Sequence, residues 1–253
     1  MRSQKENIEL QVERNSAQNL HYYAALEAFM RSDNVGPLQL MRNFAVYAPR
    51  QFVTDFLVRY ELFKMVQEVV GSVLEFGVMN GQGLMSMAQF SAILEPANIT
   101  REVIGFDTFE GFPELSAQDG TSSILKRGGF NVDGSYDRLQ HAVKLFDSNR
   151  FIGHVPKVRL IKGDVLHTLP EYLAENPHTI AALIYMDLDL YLPTKFVLEQ
   201  IMDRAPKGAI IAFDEINHPS FPGETLALLE TLGIRSVALK RIPFCSRISY
   251  LIR

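Results

Sequence analysis

The chain has 253 residues, 47% of them hydrophobic, with 25 Lys and Arg against 29 Asp and Glu and a formal net charge of −4. That length and apolar content suit one well-packed domain with an elaboration at one end, and the basic residues are scattered instead of forming a stripe, which argues against nucleic acid as a partner. Cys245 is the only cysteine, so an intramolecular disulfide and a thiolate metal cluster are excluded; no apolar run nears the roughly 18 residues of a membrane span, and the polar start carries no apolar h-region, so a reducing cytoplasmic address without a membrane is expected.

Residues 1 to about 17 are charged and read as a flexible lead-in. Leu20, Tyr23, Ala24, Leu26 and Met30 then recur at helical spacing and predict a short amphipathic helix. A second helix is predicted from Pro49, a residue suited to a first helical turn, with Phe52, Phe56, Tyr60, Phe63 and Val66 as its apolar stripe. Together they form a helical annex over residues 1–70. Its expected roles are core packing, roofing a site or building a two-fold interface, and a homodimer is the expected state.

From residue 71 to 253 strand patterns alternate with helix patterns, the signature of a parallel sheet with helices on its faces. Val73–Val78, Val103–Phe106, Val158–Ile161, Ala181–Met186 and Ala209–Phe213 are predicted as buried strands. Ser236–Leu239 and Ile248–Ile252 add two more, with Pro243 in the turn between them. The expected fold is α/β, a Rossmann-like doubly wound, mostly parallel sheet of about seven strands. From about residue 112 to 136 the chain is rich in Gly, Ser and Asp and lacks periodicity, which predicts a lid over an acceptor. Within it, Lys126 and Arg127 are candidates for meeting a diphosphate, against the alternative of a solvated charge pair. A helix is predicted from Tyr136 to Asn149.

The first strand runs into Glu75-Phe-Gly-Val-Met-Asn-Gly-Gln-Gly83, where Gly77, Gly81 and Gly83 allow a tight turn and close approach to a ligand. The spacing is not Gly-x-Gly-x-x-Gly, and Glu75 would repel a pyrophosphate, so a cationic cofactor suits this loop better than NAD. At the end of the second strand Asp107 stands where a carboxylate can accept hydrogen bonds from ribose hydroxyls, and after the third strand Asp164 is offered to an adenine amino group. For each, a turn or helix N-cap is the alternative reading.

Two strand ends deliver Asp187, Asp189, Asp214 and Glu215 to the edge where open α/β sheets bind ligands. Hard divalent cations such as Mg²⁺ choose oxygen ligands of this kind. In an extended segment Asp187 and Asp189 would share one side. N-caps and turn formers are the plainer alternative, and His218 nearby is either a surface residue or a second candidate base.

The order of glycine loop, Asp107, Asp164 and Asp187 resembles the class I S-adenosylmethionine-dependent methyltransferases from about Val73 to the C-terminus. More narrowly, Glu75-Phe-Gly-Val, Gly105-Phe-Asp-Thr-Phe-Glu-Gly-Phe-Pro113, Asp187-Leu-Asp-Leu-Tyr-Leu-Pro-Thr194 and Phe213-Asp-Glu215 are similar to the macrocin O-methyltransferase group, which methylates deoxysugar hydroxyls with Mg²⁺. Phe-Asp-Glu followed by Pro222-Gly-Glu224 resembles the branch acting on the 3-hydroxyl of deoxyhexoses, some nucleotide-activated. The resemblance implies S-adenosylmethionine held by Glu75, Gly77, Gly81, Gly83, Asp107, Thr108 and Asp164. It also implies Mg²⁺ on Asp187, Asp214 and Glu215, and Asp189 as general base. Glu215 stands where many members have Asp, and Leu188 where a Gly often separates the aspartates.

The chemistry agrees with those roles, because a sugar hydroxyl is too weak an acid to attack a methyl group unaided. Mg²⁺ can polarise it while a carboxylate takes the proton. Two other classes are weighed. An NAD-type oxidoreductase or hydroxylase-like enzyme on the same fold is disfavoured by Glu75 and the glycine spacing, and a non-catalytic binding protein would be expected to have lost the loop or the carboxylates.

Overall fold

A computed structural model describes residues 17–253, so the expected flexible lead-in lies, but for its last residue, outside the described residues. The described residues divide into two compact units, one ending at Asp55 and the other Phe56–Arg253. In the first, helices α1 (Ala17–Ser32), α2 (Pro37–Arg42) and α3 (Phe44–Tyr47) contain no buried residue. They are held by aromatic contacts, with Phe29 stacked on Tyr47 at 5.7 Å and the Tyr47 hydroxyl donating to Asp33 at 2.6 Å. Helix α4 (Arg50–Met65) begins at the residue after Pro49, which stands just ahead of the first turn and accepts from the N–H groups of Phe52 and Val53.

The second unit is built on a seven-stranded sheet of order β3-β2-β1-β4-β5-β7-β6. Its strands are β1 (Ser72–Phe76), β2 (Val103–Asp107), β3 (Val158–Lys162), β4 (Ala181–Met186), β5 (Ile210–Phe213), β6 (Lys240–Arg241) and β7 (Ser249–Ile252). All pairings from β3 through β5 are parallel, and β7 runs antiparallel to both β5 and β6. The intervening helices are α5 (Gln82–Leu94), α6 (Ser135–Asn149), α7 (Val165–Glu175), α8 (Tyr191–Ile201) and α9 (Gly223–Thr231). This is the doubly wound, mostly parallel sheet of seven strands expected from the sequence.

The sixth strand corrects the expectation for Ser236–Leu239: residues 234–236 form a 3-10 turn and the strand is Lys240–Arg241. Two exposed, charged residues at a sheet edge carry no apolar alternation, and only their pairing with Tyr250 and Ser249 makes them a strand. Among the described residues no helix is long and apolar enough to cross a membrane.

Strand alternation sorts the core into two layers. Val73, Val103, Val158, Leu183, Tyr185 and Ile210 face one side with Val58, Leu62 and Phe63 of α4 and with α5 and α6. Leu74, Phe76, Ile104, Ile184, Met186 and Phe213 face the other, with α7 and α8. Glu75, paired in register with Tyr185, therefore shares the α4 side. The carbonyls at the end of α4 are gathered by buried Arg101, which donates to Val66 and Val69 at 3.0 Å and Gly71 at 2.8 Å and is paired with Glu95. Buried backbone oxygens at a helix end need such partners.

Candidate active site

β1 and β4 are neighbours from which the strand order runs in opposite directions, so their C-terminal ends open the crevice where doubly wound sheets bind ligands. Here the chain turns at Gly77, whose φ of 92° is costly for a side chain and whose absent Cβ would stand 1.8 Å from the Asp187 carbonyl oxygen. The close approach is real: Gly77 accommodates the backbone of β4 as it leaves the sheet, and the Asp187 N–H donates to the Phe76 carbonyl at 2.8 Å.

Gly83 has a different reason. A Cβ there would lie 1.9 Å from Glu75 Oε1 and 2.9 Å from Arg59 Nε, so the residue leaves room for a buried carboxylate and guanidinium. Gly81 starts α5 in the left-handed conformation with Leu139 of α6 packed against it. Asn80 accepts from Arg138 of α6 at 2.8 Å, a second tie between loop and helix.

Asp107 reaches back across this loop. Its Oδ2 accepts from the N–H groups of Val78 at 2.6 Å and Met79 at 2.7 Å, and its Oδ1 from Phe109 at 2.6 Å. The carboxylate thus shapes the β1–α5 loop and retains limited capacity for a ribose hydroxyl. Thr108 donates its hydroxyl to the Gly111 carbonyl at 2.7 Å. Asp164 caps α7 by accepting from Leu166 N–H at 3.0 Å, leaving its other oxygen for a ligand.

Glu75 is a buried carboxyl near the C-terminal end of β1. It is 3% exposed and its Oε2 has no hydrogen-bond partner. Burial pushes its carboxyl up to about 8, Asp107 and Asp214 adding to the rise while Arg59 opposes it. An orphaned buried oxygen with this bias suits a cationic ligand, which fits the sulfonium cofactor implied by the fold.

Past β4 the chain presents the other carboxylates. Asp187 keeps 30% of its side chain exposed and lies 3.9 Å from Arg59; burial, then Asp214 and Asp189, push its carboxyl well above the ordinary range. Asp189 is 8% exposed with φ 59°, so the extended run ends at Met186 and the period-two argument placing Asp187 and Asp189 on one side does not hold. Asp tolerates the left-handed region better than most residues, at modest strain.

Asp214 accepts from the Tyr185 hydroxyl at 3.1 Å and is ion-paired with Arg247. The Glu215 carboxylate is buried, with Oε2 3.8 Å from His218 Nδ1. Among the described residues no three His, Cys, Asp or Glu are drawn into a metal-binding group. Asp187, Asp214 and Glu215 nevertheless carry the oxygen donors a hard divalent cation prefers, on two adjacent strand ends, and at Asp187 burial and like charge disfavour ionisation without a positive partner.

Several contributing residues were not picked out as site residues from the sequence. Glu224, quoted only as part of Pro222-Gly-Glu, is fully buried; its Oε2 accepts from the Glu215 N–H at 3.1 Å and its Oε1 has no hydrogen-bond partner. Burial, with Asp189 and Asp214, pushes it well above the usual carboxylate range. A Cβ on Gly223 would meet Tyr191 N at 2.5 Å and the Asp189 carbonyl at 2.8 Å, so α9 presses on the Asp189 turn. From the expected lid, buried Asp119 accepts from the Tyr191 N–H and from both the N–H and hydroxyl of Ser116. Phe112 N–H donates to Gly129 and Gly128 N–H to Phe112, pinning the base of the loop. Arg59 is a further omission; its signal was a charged residue among the apolar positions Val58, Leu62 and Phe63.

Residues 61–221 match the family model of the TylF macrocin-O-methyltransferases. The crystal structure of CalS11, a calicheamicin methyltransferase, is 36% identical, covers 94% of this chain and 93% of its own, and superimposes with a TM-score of 0.91. An apo structure of CalS11, described as a TDP-rhamnose 3'-O-methyltransferase of calicheamicin biosynthesis, is 33% identical over 94% of this chain and 95% of its own, with a TM-score of 0.82. An O-methyltransferase from Bacillus cereus in complex with SAH shares the fold, at 12% identity, 94% and 92% coverage and a TM-score of 0.51. No curated protein sequence matches significantly.

Proposed function

We propose that this chain, which belongs to the macrocin O-methyltransferase family, moves the methyl group of S-adenosylmethionine to a hydroxyl of a deoxysugar. The finer reading is the 3-hydroxyl of a deoxyhexose, nucleotide-linked or on a natural-product glycoside, which the likeness to a TDP-rhamnose 3'-O-methyltransferase supports. The observation that carries the reading is the meeting, on one sheet edge, of Glu75 with an unpartnered buried oxygen and the buried, left-handed Asp189 between β4 and α8.

In this reading Glu75, Gly77, Gly81, Gly83, Asp107, Thr108 and Asp164 hold the cofactor, and Asp187, Asp214 and Glu215 hold Mg²⁺. When bound, these groups supply an electrophilic methyl and a Lewis acid for the acceptor oxygen. Asp189 would take the proton of the acceptor hydroxyl. The turn that carries Asp189 is held from both sides, by Asp119 at Tyr191 and by α9 at Gly223, which favours a fixed approach of base to acceptor. The loop from about 112 to 136 closes around the acceptor. A homodimer is the proposed working state, its apolar surface supplied by exposed Leu38, Met41 and Phe44.

The test is Asp189→Asn with TDP-linked deoxyhexoses, products read by mass spectrometry with added Mg²⁺ or chelator, and cofactor affinity by calorimetry. Affinity should stay within about twofold while turnover drops by about 10²–10⁴. Turnover near that of the wild type removes Asp189 from the mechanism, and full activity in chelator removes the metal.

A further inference from the structure

Arg59 lies on α4, well before β1 in the chain, yet its side chain reaches Asp187 and Tyr185 at the end of β4. It is 4% exposed, its guanidinium lies 4.8 Å from the centre of the Tyr185 ring, and Asp187 Oδ2 is 3.9 Å away. With Glu75 it fills the space that Gly83 leaves by lacking a Cβ. Strand register puts Glu75 beside Tyr185, so ring, guanidinium and carboxylate occupy one face of the sheet.

We propose that Arg59 is a positioning residue for the cofactor: braced on Tyr185 and Asp187 beside Gly83, it fixes the Glu75 carboxyl and favours its anion once a cationic donor is bound. The proposal rests on the methyltransferase reading and assigns to α4 a part in cofactor affinity.

The physical argument is a balance of charges around Glu75. From β2 Asp107 and from β5 Asp214 oppose its ionisation, as does its own burial; Tyr185 of β4 is its neutral register partner; Arg59 of α4 is the group that favours the anion. With a carboxyl pushed up to about 8, Glu75 is mostly protonated at pH 7 in the empty protein. A bound cation draws out the proton. Affinity for the cofactor therefore rises with pH through the range below about 8 and levels above it. Removing Arg59 raises the carboxyl further, and each unit of rise costs about tenfold in the ionised fraction at a fixed pH below it. The guanidinium itself stays charged, because Tyr185, Glu75, Asp187 and Asp214 together outweigh the effect of its burial.

The experiment measures S-adenosylmethionine affinity by calorimetry from pH 6 to 9.5 for the full chain and for Arg59→Gln and Arg59→Lys. For Arg59→Gln the expected result is affinity at least about tenfold weaker at pH 7, with the gap narrowing toward pH 9.5 as the midpoint moves up by about one unit. Arg59→Lys keeps the charge and should hold its midpoint within about half a unit of the wild type. A profile for Arg59→Gln that superimposes on the wild type, or is displaced equally at every pH, overturns the proposal, since a packing role alone would leave the midpoint in place. Should Arg59→Gln fail to fold, a midpoint for Arg59→Lys displaced by a full unit overturns it and an unmoved one supports it. Absence of binding by the wild type at every pH overturns the methyltransferase reading, and with it this proposal.

Discussion

Replacing Asp119 by Ala tests how the irregular segment between β2 and α6 is held. Its buried carboxylate accepts from three donors: Ser116 N–H, Ser116 Oγ and, across 72 residues, the N–H of Tyr191. Tyr191 opens α8, and the preceding Leu190 offers no side-chain cap, so Asp119 acts as a remote cap with its negative charge at the positive end of the helix. Loss of a hydrogen bond between a buried N–H and a charged acceptor costs about 1.5–3 kcal/mol. The part-buried Ser116 pair adds about 1 kcal/mol because water can replace it, and the helix-end charge about 0.3–1 kcal/mol. The total is about 3–5 kcal/mol, a large share of a typical domain stability of about 5–15 kcal/mol. Urea unfolding of Asp119→Ala should lose that much, and Asp119→Asn about half. Because the tie lands two residues beyond Asp189, acceptor KM should rise while cofactor affinity is kept. A loss under about 1 kcal/mol with unchanged acceptor KM would refute the anchoring argument.

Gly77→Ala should lose more than about 3 kcal/mol and express poorly, since the new Cβ meets the backbone oxygen of Asp187 while the residue is held at positive φ; circular dichroism melts and soluble yield measure it. Charge reversal at the exposed Lys126 and Arg127 should raise KM for a nucleotide-linked sugar several-fold while leaving thermal stability alone, and an unchanged KM would argue against diphosphate contact there.

The inner parallel strands are legible because their apolar pattern reflects burial on both faces. Val73, Val103, Ala181 and Ala209 each begin or adjoin such a strand, and these runs read as near-continuous hydrophobic segments, whereas β3, at the sheet edge, exposes Arg159 and Lys162 and is read from Val158, Leu160 and Ile161. Residues 37–47 were not resolved into α2 and α3 because neither helix is long enough to establish a period, and Lys240–Arg241 was missed because edge pairing leaves no apolar trace.

For the site, the sequence by itself determined the inventory and its order along the chain: a glycine loop after β1, Asp107 after β2, Asp164 after β3, then two acidic strand ends. Motif spacing carries that information, because the ends of successive parallel strands must collect at one edge. Only the tertiary structure decided what each group is committed to. Asp107 is engaged by the loop N–H groups, Gly83 makes room for the buried Glu75 carboxyl and Arg59 guanidinium, and Asp189 leaves the extended conformation. The partners that enforce these commitments come from afar: Arg59 from 16 residues before Glu75, Asp119 from 72 before Tyr191, Glu224 from nine after Glu215. A buried charge is set by what folds around it, and that is written in no local pattern.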